Sequence, residues 1–240
     1  MRIASRKITA AGLREIFTRL HAYHGPQNWW PHETLWEIMV GAILTQNTAW
    51  RNVERALANL KRAHALAPAA LRALPRARLT ELIRPAGFTA SKPQRLVTLA
   101  EFLRDAYADE PANLRGGDLE TQRAQLLALH GVGPETADAI LLYVARQPIF
   151  VVDAYTRRIF TRLGIAAANI SYHALQTLCM ENLAPDVELF QEFHALLDTH
   201  AKWICTKRAP RCDRCPLAAK CAYQKNWRAP QDRERVAPRR

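Results

Sequence analysis

Four cysteines stand within seventeen residues near the C-terminus: Cys205, Cys212, Cys215 and Cys221, in the pattern C-x6-C-x2-C-x5-C. Thiolates are soft ligands that suit zinc or iron–sulfur clusters. A zinc ribbon presents two close cysteine pairs separated by a longer spacer. Here only Cys212 and Cys215 form a close pair, and the other two stand off by six and five residues. One compact loop must therefore wrap a bulky object, which fits a cubane 4Fe–4S cluster better than a single tetrahedral ion. Zinc remains the alternative. No apolar leader follows the charged start Met1–Lys7, so no secretory signal is expected and a disulfide framework is disfavoured. Cys179 lies apart, in an apolar helical stretch with Leu175 and Leu178, and reads as a small buried hydrophobe.

The spacer after Cys205 is Thr206-Lys207-Arg208-Ala209-Pro210-Arg211. Lys207 and Arg208, in a loop pinned at both ends, are candidate phosphate contacts. A second candidate is Gly131-Val132-Gly133-Pro134, between two helical segments. Two glycines around a small apolar residue permit a tight turn with positive φ. Backbone N–H groups then face outward at a helix N-terminus, where the dipole favours an anion. A plain helical hairpin would carry the same glycines. Twenty residues beyond Gly133 comes Asp153, directly after the apolar Phe150-Val151-Val152. A carboxylate there can be held in a partly dry site, or can serve as an ordinary N-cap.

Charge agrees with a polyanionic partner. Lysine and arginine number 34 against 22 acidic residues, a net +12 over 240 residues, and phosphate binding gains from counterion release. Part of the excess lies in the stretch 225–240, with six basic and two acidic residues, which reads as a solvated tail. No run of eighteen apolar residues suggests a membrane span.

The elements that must position these residues read as helix after helix. Leu13, Ile16, Phe17 and Leu20 follow helical spacing and Gly25-Pro26 ends that segment. Leu35, Met39 and Ile43 mark a second helix, and Val53, Ala56, Leu57 and Leu60 a third. Further helices are expected around 68–74, 76–83, 93–108 and 119–129, then from Pro134 through Ala145 with the proline in the first turn. Others are expected near 154–163, 172–182 and 188–203. No sustained two-residue alternation occurs, so the fold class is all-α.

The hairpin Leu-x-Gly-x-Gly, the aspartate twenty residues on and the C-x6-C-x2-C-x5-C loop occur together and in this order. That set resembles the endonuclease III (helix-hairpin-helix) superfamily of base-excision DNA glycosylases, over roughly residues 10–222. The resemblance implies a two-lobed all-α glycosylase fold with damaged double-stranded DNA bound across a cleft. One lobe would be a six-helix bundle holding the hairpin, residues 28–147. The other would be an iron–sulfur lobe, residues 1–27 and 148–224, followed by the tail. By position Asp153 matches the catalytic aspartate. Asn47, with Gln46 beside it, matches the loop that fills the gap left by a flipped nucleotide. Phe88, in Gly87-Phe88-Thr89-Ala90-Ser91-Lys92, matches a wedge, although core packing would also account for it. The cluster in such proteins is mainly structural and DNA-positioning.

One departure is informative. Bifunctional members carry a lysine on the hairpin helix that attacks the sugar and then cuts the strand. Glu135 stands there, and a carboxylate cannot form that Schiff base. The position of the catalytic glutamate in the adenine-opposite-oxoguanine branch falls near Ala42, where no acid stands.

Within the superfamily, Trp29-Trp30-Pro31, Gly41-Ala42-Ile43-Leu44-Thr45-Gln46-Asn47-Thr48 and Glu135-Thr136-Ala137-Asp138 resemble the 3-methyladenine DNA glycosylase group. There, aromatic residues matching Trp29 and Trp50 sandwich the damaged base, with Trp30, Pro31 and Glu135 at the pocket. An alkylated adenine is cationic, and cations are attracted to indole faces. The resemblance thus implies a monomeric, monofunctional alkylpurine glycosylase, cytoplasmic and nucleoid-associated in a prokaryote. Two rivals stand beside it: an endonuclease III-type glycosylase/lyase for oxidised pyrimidines, and a non-catalytic DNA-binding cluster protein.

Overall fold

A computed structural model describes residues 8–225. The expected basic tail falls beyond Lys225, outside the described residues. The described chain contains helices and no strand, in agreement with the all-α expectation. No described helix is long and apolar enough to cross a membrane. The chain divides into two compact units.

The hairpin unit comprises residues 28–151 and 185–191. Helix α2 (Leu35–Leu44) is its axis, with every residue from Trp36 to Leu44 buried. Thr34 caps it by accepting the Glu37 N–H at 3.2 Å, and Glu37 reaches back to accept the Glu33 N–H at 2.9 Å. One orphan donor of the first turn is thereby answered, and the chain entering the helix is tied to it. Helix α3 (Trp50–Arg62) is amphipathic and lays Val53, Ala56, Leu57 and Leu60 inward. Two short helices, α4 (Pro68–Ala73) and α5 (Arg76–Leu82), lead through a 3₁₀ turn (Arg84–Ala86) into α6 (Lys92–Tyr107). Helices α7 (Leu119–Leu127) and α8 (Pro134–Tyr143) form the helical hairpin, and α8 is buried from Thr136 onward against α2. Helix α8 stops two residues short of the expected Ala145. Arg146 takes a left-handed φ of 56°, and the Gln147 N–H folds back onto the Leu141 carbonyl at 2.9 Å.

The cysteine unit comprises the described residues 8–27, 152–184 and 192–225. Helix α1 (Ala10–His24) is capped by Thr9, which accepts from Gly12 at 3.2 Å, and buries Leu13, Ile16 and Leu20. It ends at Gly25, whose φ of 72° suits only a glycine comfortably. Helices α9 (Ala154–Leu163) and α10 (Tyr172–Asn182) follow, then α11 (Val187–Trp203), which belongs to this unit from Glu192 on, then the cysteine loop and a last turn, α12 (Ala222–Lys225). Phe193 joins the core rings, edge-on to Phe17 at 5.6 Å and near Phe160 at 6.4 Å. Cys179 is fully buried in α10, and burial pushes its thiol far up.

Residues 148–151 and 185–191, expected in the iron–sulfur lobe, group instead with the hairpin unit. The causes are long-range. Phe150 meets Phe190 edge-on at 5.4 Å. The Tyr143 hydroxyl donates to the Gln191 carbonyl at 3.2 Å, and the Gln191 amide donates to Leu142 at 2.9 Å.

Candidate functional site

In the hairpin unit, Gly131 has φ 81° and Gly133 caps α8 from an extended conformation. A methyl group at 131 would lie 2.4 Å from Arg95 Nε, so the glycine allows the arginine side chain to cross the turn. The Val132 side chain is buried, and its N–H turns inward to the Leu129 carbonyl at 3.1 Å. This corrects the expectation that Val132 offers its N–H to a phosphate. The exposed residue of the turn is Gly133, at the positive end of α8. Gln46 is also reassigned. Its amide donates to the Gly131 carbonyl at 3.1 Å and to Thr136 Oγ1 at 2.9 Å, and its own oxygen accepts from Arg95. It braces the hairpin from within the unit. Asn47 beside it is exposed, with φ 54°. Phe88 is 57% exposed with φ 50°, which removes core packing as its explanation.

The tryptophans form one aromatic corner. Trp29 and Trp50 are half-buried, with ring centres 4.7 Å apart and planes crossing at 69°. Trp30 is buried, edge-on to Trp50 at 5.3 Å and to Tyr143 at 5.4 Å, with its ring on Gly41. The Trp29–Trp30 peptide is cis. A base sandwich needs parallel rings roughly 7 Å apart, twice an aromatic contact, so the expected slot is not open in this arrangement. Trp30 is a packing residue beneath the corner rather than a face of it, because its ring is spent on Gly41 and Tyr143. Pro31 is exposed just before α2, and Glu135 is exposed in the first turn of α8.

In the cysteine unit, Asp153 caps α9: one carboxylate oxygen accepts the Thr156 N–H at 2.6 Å. The other lies 3.9 Å from His194 Nε2, and both side chains are nearly buried. Asp198, one turn along α11 from His194, is held above the ordinary aspartate range by burial, with the Asp153 charge adding to the effect. Lys202 answers it at 2.5 Å. Asp153 thus caps a helix and also belongs to a charged group that spacing gave no means of assembling.

All four loop cysteines line one cavity, together with Arg162, Ile204 and Tyr223. Arg162 is the organiser that sequence reading missed. Its guanidinium donates to the Cys205 sulfur and carbonyl, both at 3.2 Å, to the Thr206 carbonyl at 2.7 Å and to Lys207 at 2.9 Å. It also lies over the Tyr223 ring. Arg158 adds a hydrogen bond to the Cys205 carbonyl at 3.0 Å. From the other side His200 Nε2 stands 3.4 Å from the Cys215 sulfur, and its Nδ1 meets His24 Nε2 at 3.1 Å. Burial lowers His200 to about 4, so its ring is neutral in this surrounding. Burial also raises Cys215 to about 11 and pushes Cys212 and Cys221 upward. These thiols become stable thiolates only against added positive charge, as metal ligation supplies. Four soft donors converge on one cavity, with an arginine donor at one sulfur and an imidazole at another, a donor set whose chemistry suits zinc or an iron–sulfur cluster. Lys207 and Arg208 are exposed on the loop's outer edge.

Residues 40–185 match the HhH-GPD superfamily of base excision DNA repair proteins. A Methanocaldococcus jannaschii protein named as a candidate DNA repair glycosylase is 45% identical over 208 residues, covering 86% of this chain and 94% of that protein. A thymine-DNA glycosylase of Aeropyrum pernix is 31% identical, covering 80% of this chain and 83% of its own length. Among solved structures, the H. pylori 3-methyladenine DNA glycosylase bound to 1,N6-ethenoadenine is similar, with a TM-score of 0.70 and 26% identity. That match spans 81% of this chain and 98% of the other.

Proposed function

This chain belongs to the HhH-GPD superfamily of base excision DNA repair proteins, and from that premise we propose that it is a monofunctional DNA N-glycosylase for alkylated purines such as 3-methyladenine. The observation that carries the substrate class is the corner of Trp29 and Trp50, two half-buried indoles within contact of each other. A cationic purine entering there would stack on indole, at ~1–3 kcal/mol per base, once the rings swing toward parallel. Its positive charge favours indole over other surfaces. The exposed carboxylate of Glu135, on the hairpin helix of the same unit, adds a charge preference and cannot act as the amine of a lyase.

In this reading the hairpin N-terminus at Gly133 and the loop cations Lys207 and Arg208 bind duplex phosphates. Asn47 and Phe88 occupy the space left when the base is extruded. Asp153 offers its carboxylate to the positive charge that grows on the sugar, and orients or deprotonates the water. Its hydrogen bond from Thr156 holds it in place. Cys205, Cys212, Cys215 and Cys221 would hold a 4Fe–4S cluster, which when bound cross-links the loop and makes it a rigid phosphate contact. Iron and acid-labile sulfide in equal amount should accompany the purified protein. Stoichiometric zinc without iron would reject the cluster.

The test is a panel of defined lesion duplexes, each assayed with and without alkaline cleavage. Release of 3-methyladenine, with strand breaks only after alkali and no borohydride-trapped adduct, is the expected result. Asp153→Asn should slow single-turnover excision on the order of 10²–10⁴-fold, while the asparagine still caps α9. A second reading, thymine removal from mismatches, is favoured by the Aeropyrum pernix relative. Excision from G·T duplexes with alkylated purines left intact would establish it in place of the first.

A further inference from the structure

Lys92 is the first residue of α6 and is fully buried. Its ammonium donates to the Leu44 carbonyl at 2.7 Å and to the Ala86 carbonyl at 2.8 Å. Its third side faces the Phe88 ring, 5.3 Å from the centroid. Among the described residues no carboxylate pairs with it. A buried cation without a counter-ion is costly, and here two carbonyl oxygens and a ring face stand in for one. Leu44 is the last residue of α2 and Ala86 the last of the 3₁₀ turn. Their carbonyls are end groups that a helix cannot satisfy internally. Each stands just before an exposed tip: Asn47 follows Leu44 by three residues, and Phe88 follows Ala86 by two. Both tips hold left-handed φ values, 54° and 50°. Asparagine tolerates that region, but phenylalanine does not, and such a conformation persists only where its surroundings over-determine it. One turn along α6, Arg95 donates to Gln46, which holds Gly131.

We propose that Lys92 is a positioning residue that fastens the Asn47 loop and the Phe88 loop to each other, so that both tips meet DNA as one preset unit during base extrusion. The inference rests on the glycosylase reading for its use, but the clamp itself is a property of the free protein. Below pH about 8, to which burial first and Arg95 second lower this lysine, the ammonium has three donors for two carbonyls and a ring face. Above it, the neutral amine still has two N–H groups for the two carbonyls but loses its attraction to the ring. The ionisable group acting on Lys92 is Arg95, on its own helix; α2 and the 3₁₀ turn present carbonyls to it, and the loop between presents Phe88.

The experiment uses the full-length metallated protein as wild type, Lys92→Met and Lys92→Gln. Amide exchange on the free proteins should rise about tenfold or more at 45–49 and 86–91 in Lys92→Met, and stay unchanged elsewhere. Affinity for an undamaged duplex, read by anisotropy, should hold within about twofold, because the hairpin and the cysteine loop carry the phosphate contacts. Base extrusion, read by 2-aminopurine fluorescence, should fall about tenfold or more. In wild type it should also weaken as pH rises through about 8, and Lys92→Met should lose that pH step. Lys92→Gln, with a shorter donor, must show the same exchange pattern. Unchanged exchange at the two loops, a rise spread over the whole chain, or failure of both variants to fold would overturn the clamp. If wild type excises no lesion, the glycosylase reading fails while the exchange result still decides on Lys92.

Discussion

The cysteine loop and the glycine hairpin are both short connections between helices, and they are held by opposite means. The loop points its reactive side chains inward. Cys205, Cys212, Cys215 and Cys221 share one cavity, and burial raises Cys212, Cys215 and Cys221 away from the thiolate form. Arg162 and His200 supply hydrogen-bonding groups at two of the sulfurs. The hairpin exposes Gly133 and is braced by neutral and cationic side chains of its own unit. Gln46 and Arg95 do for Gly131 what coordination would do for the cysteines. One connection thus gathers soft donors around a cavity, whereas the other is locked by the packing of its own unit.

Removing a loop ligand is the severest test of that contrast. Cys215→Ala should abolish bound iron and destabilise the cysteine unit by several kcal/mol, on the order of a lost structural metal site. Amide exchange around 128–136 should stay as in wild type, and loss of protection there would break the contrast. Gly131→Ala comes next. It forces a side chain into φ 81° and against Arg95, at ~1–3 kcal/mol, seen as an earlier urea midpoint with iron content unaltered. Gln46→Ala leaves the Gly131 carbonyl and the Thr136 hydroxyl without their donor. It should cost about 1–2 kcal/mol and weaken duplex binding in the same titration. The smallest stability effect belongs to Lys207→Ala combined with Arg208→Ala, within about 0.5 kcal/mol. Its signature is elsewhere: the slope of log affinity against log salt should flatten by about one per removed charge. An unchanged slope would take the loop out of the DNA contact altogether.

Local order was legible because its signals are local. The Asp153 cap, the proline opening α8 and the apolar spacing of α3 all act within one or two turns. The helices therefore fall close to where periodicity puts them. The cysteine spacing and the glycine turn were equally plain, and they lead to the superfamily that residues 40–185 match. Long-range partners were not legible. Nothing in Gln46-Asn47 says which amide turns inward to the hairpin and which is left exposed. Nothing in Trp29-Trp30 says that the second ring is spent on Gly41. Phe88 could have been core, and Lys92 could have been an ordinary exposed lysine.

By itself, the sequence determined the all-α class, the helices, the family, and the four-cysteine loop with Asp153 as a candidate carboxylate. Those follow from backbone hydrogen bonding and side-chain chemistry that act between near neighbours. Tertiary structure alone decided which side chains brace and which face outward: Gln46 and Trp30 inward, Asn47 and Phe88 outward, Arg162 and His200 onto the cysteines, Lys92 between two loops. Those outcomes depend on where distant backbone carbonyls and ring faces come to lie once the helices pack. A buried donor takes whichever acceptor that packing brings within reach.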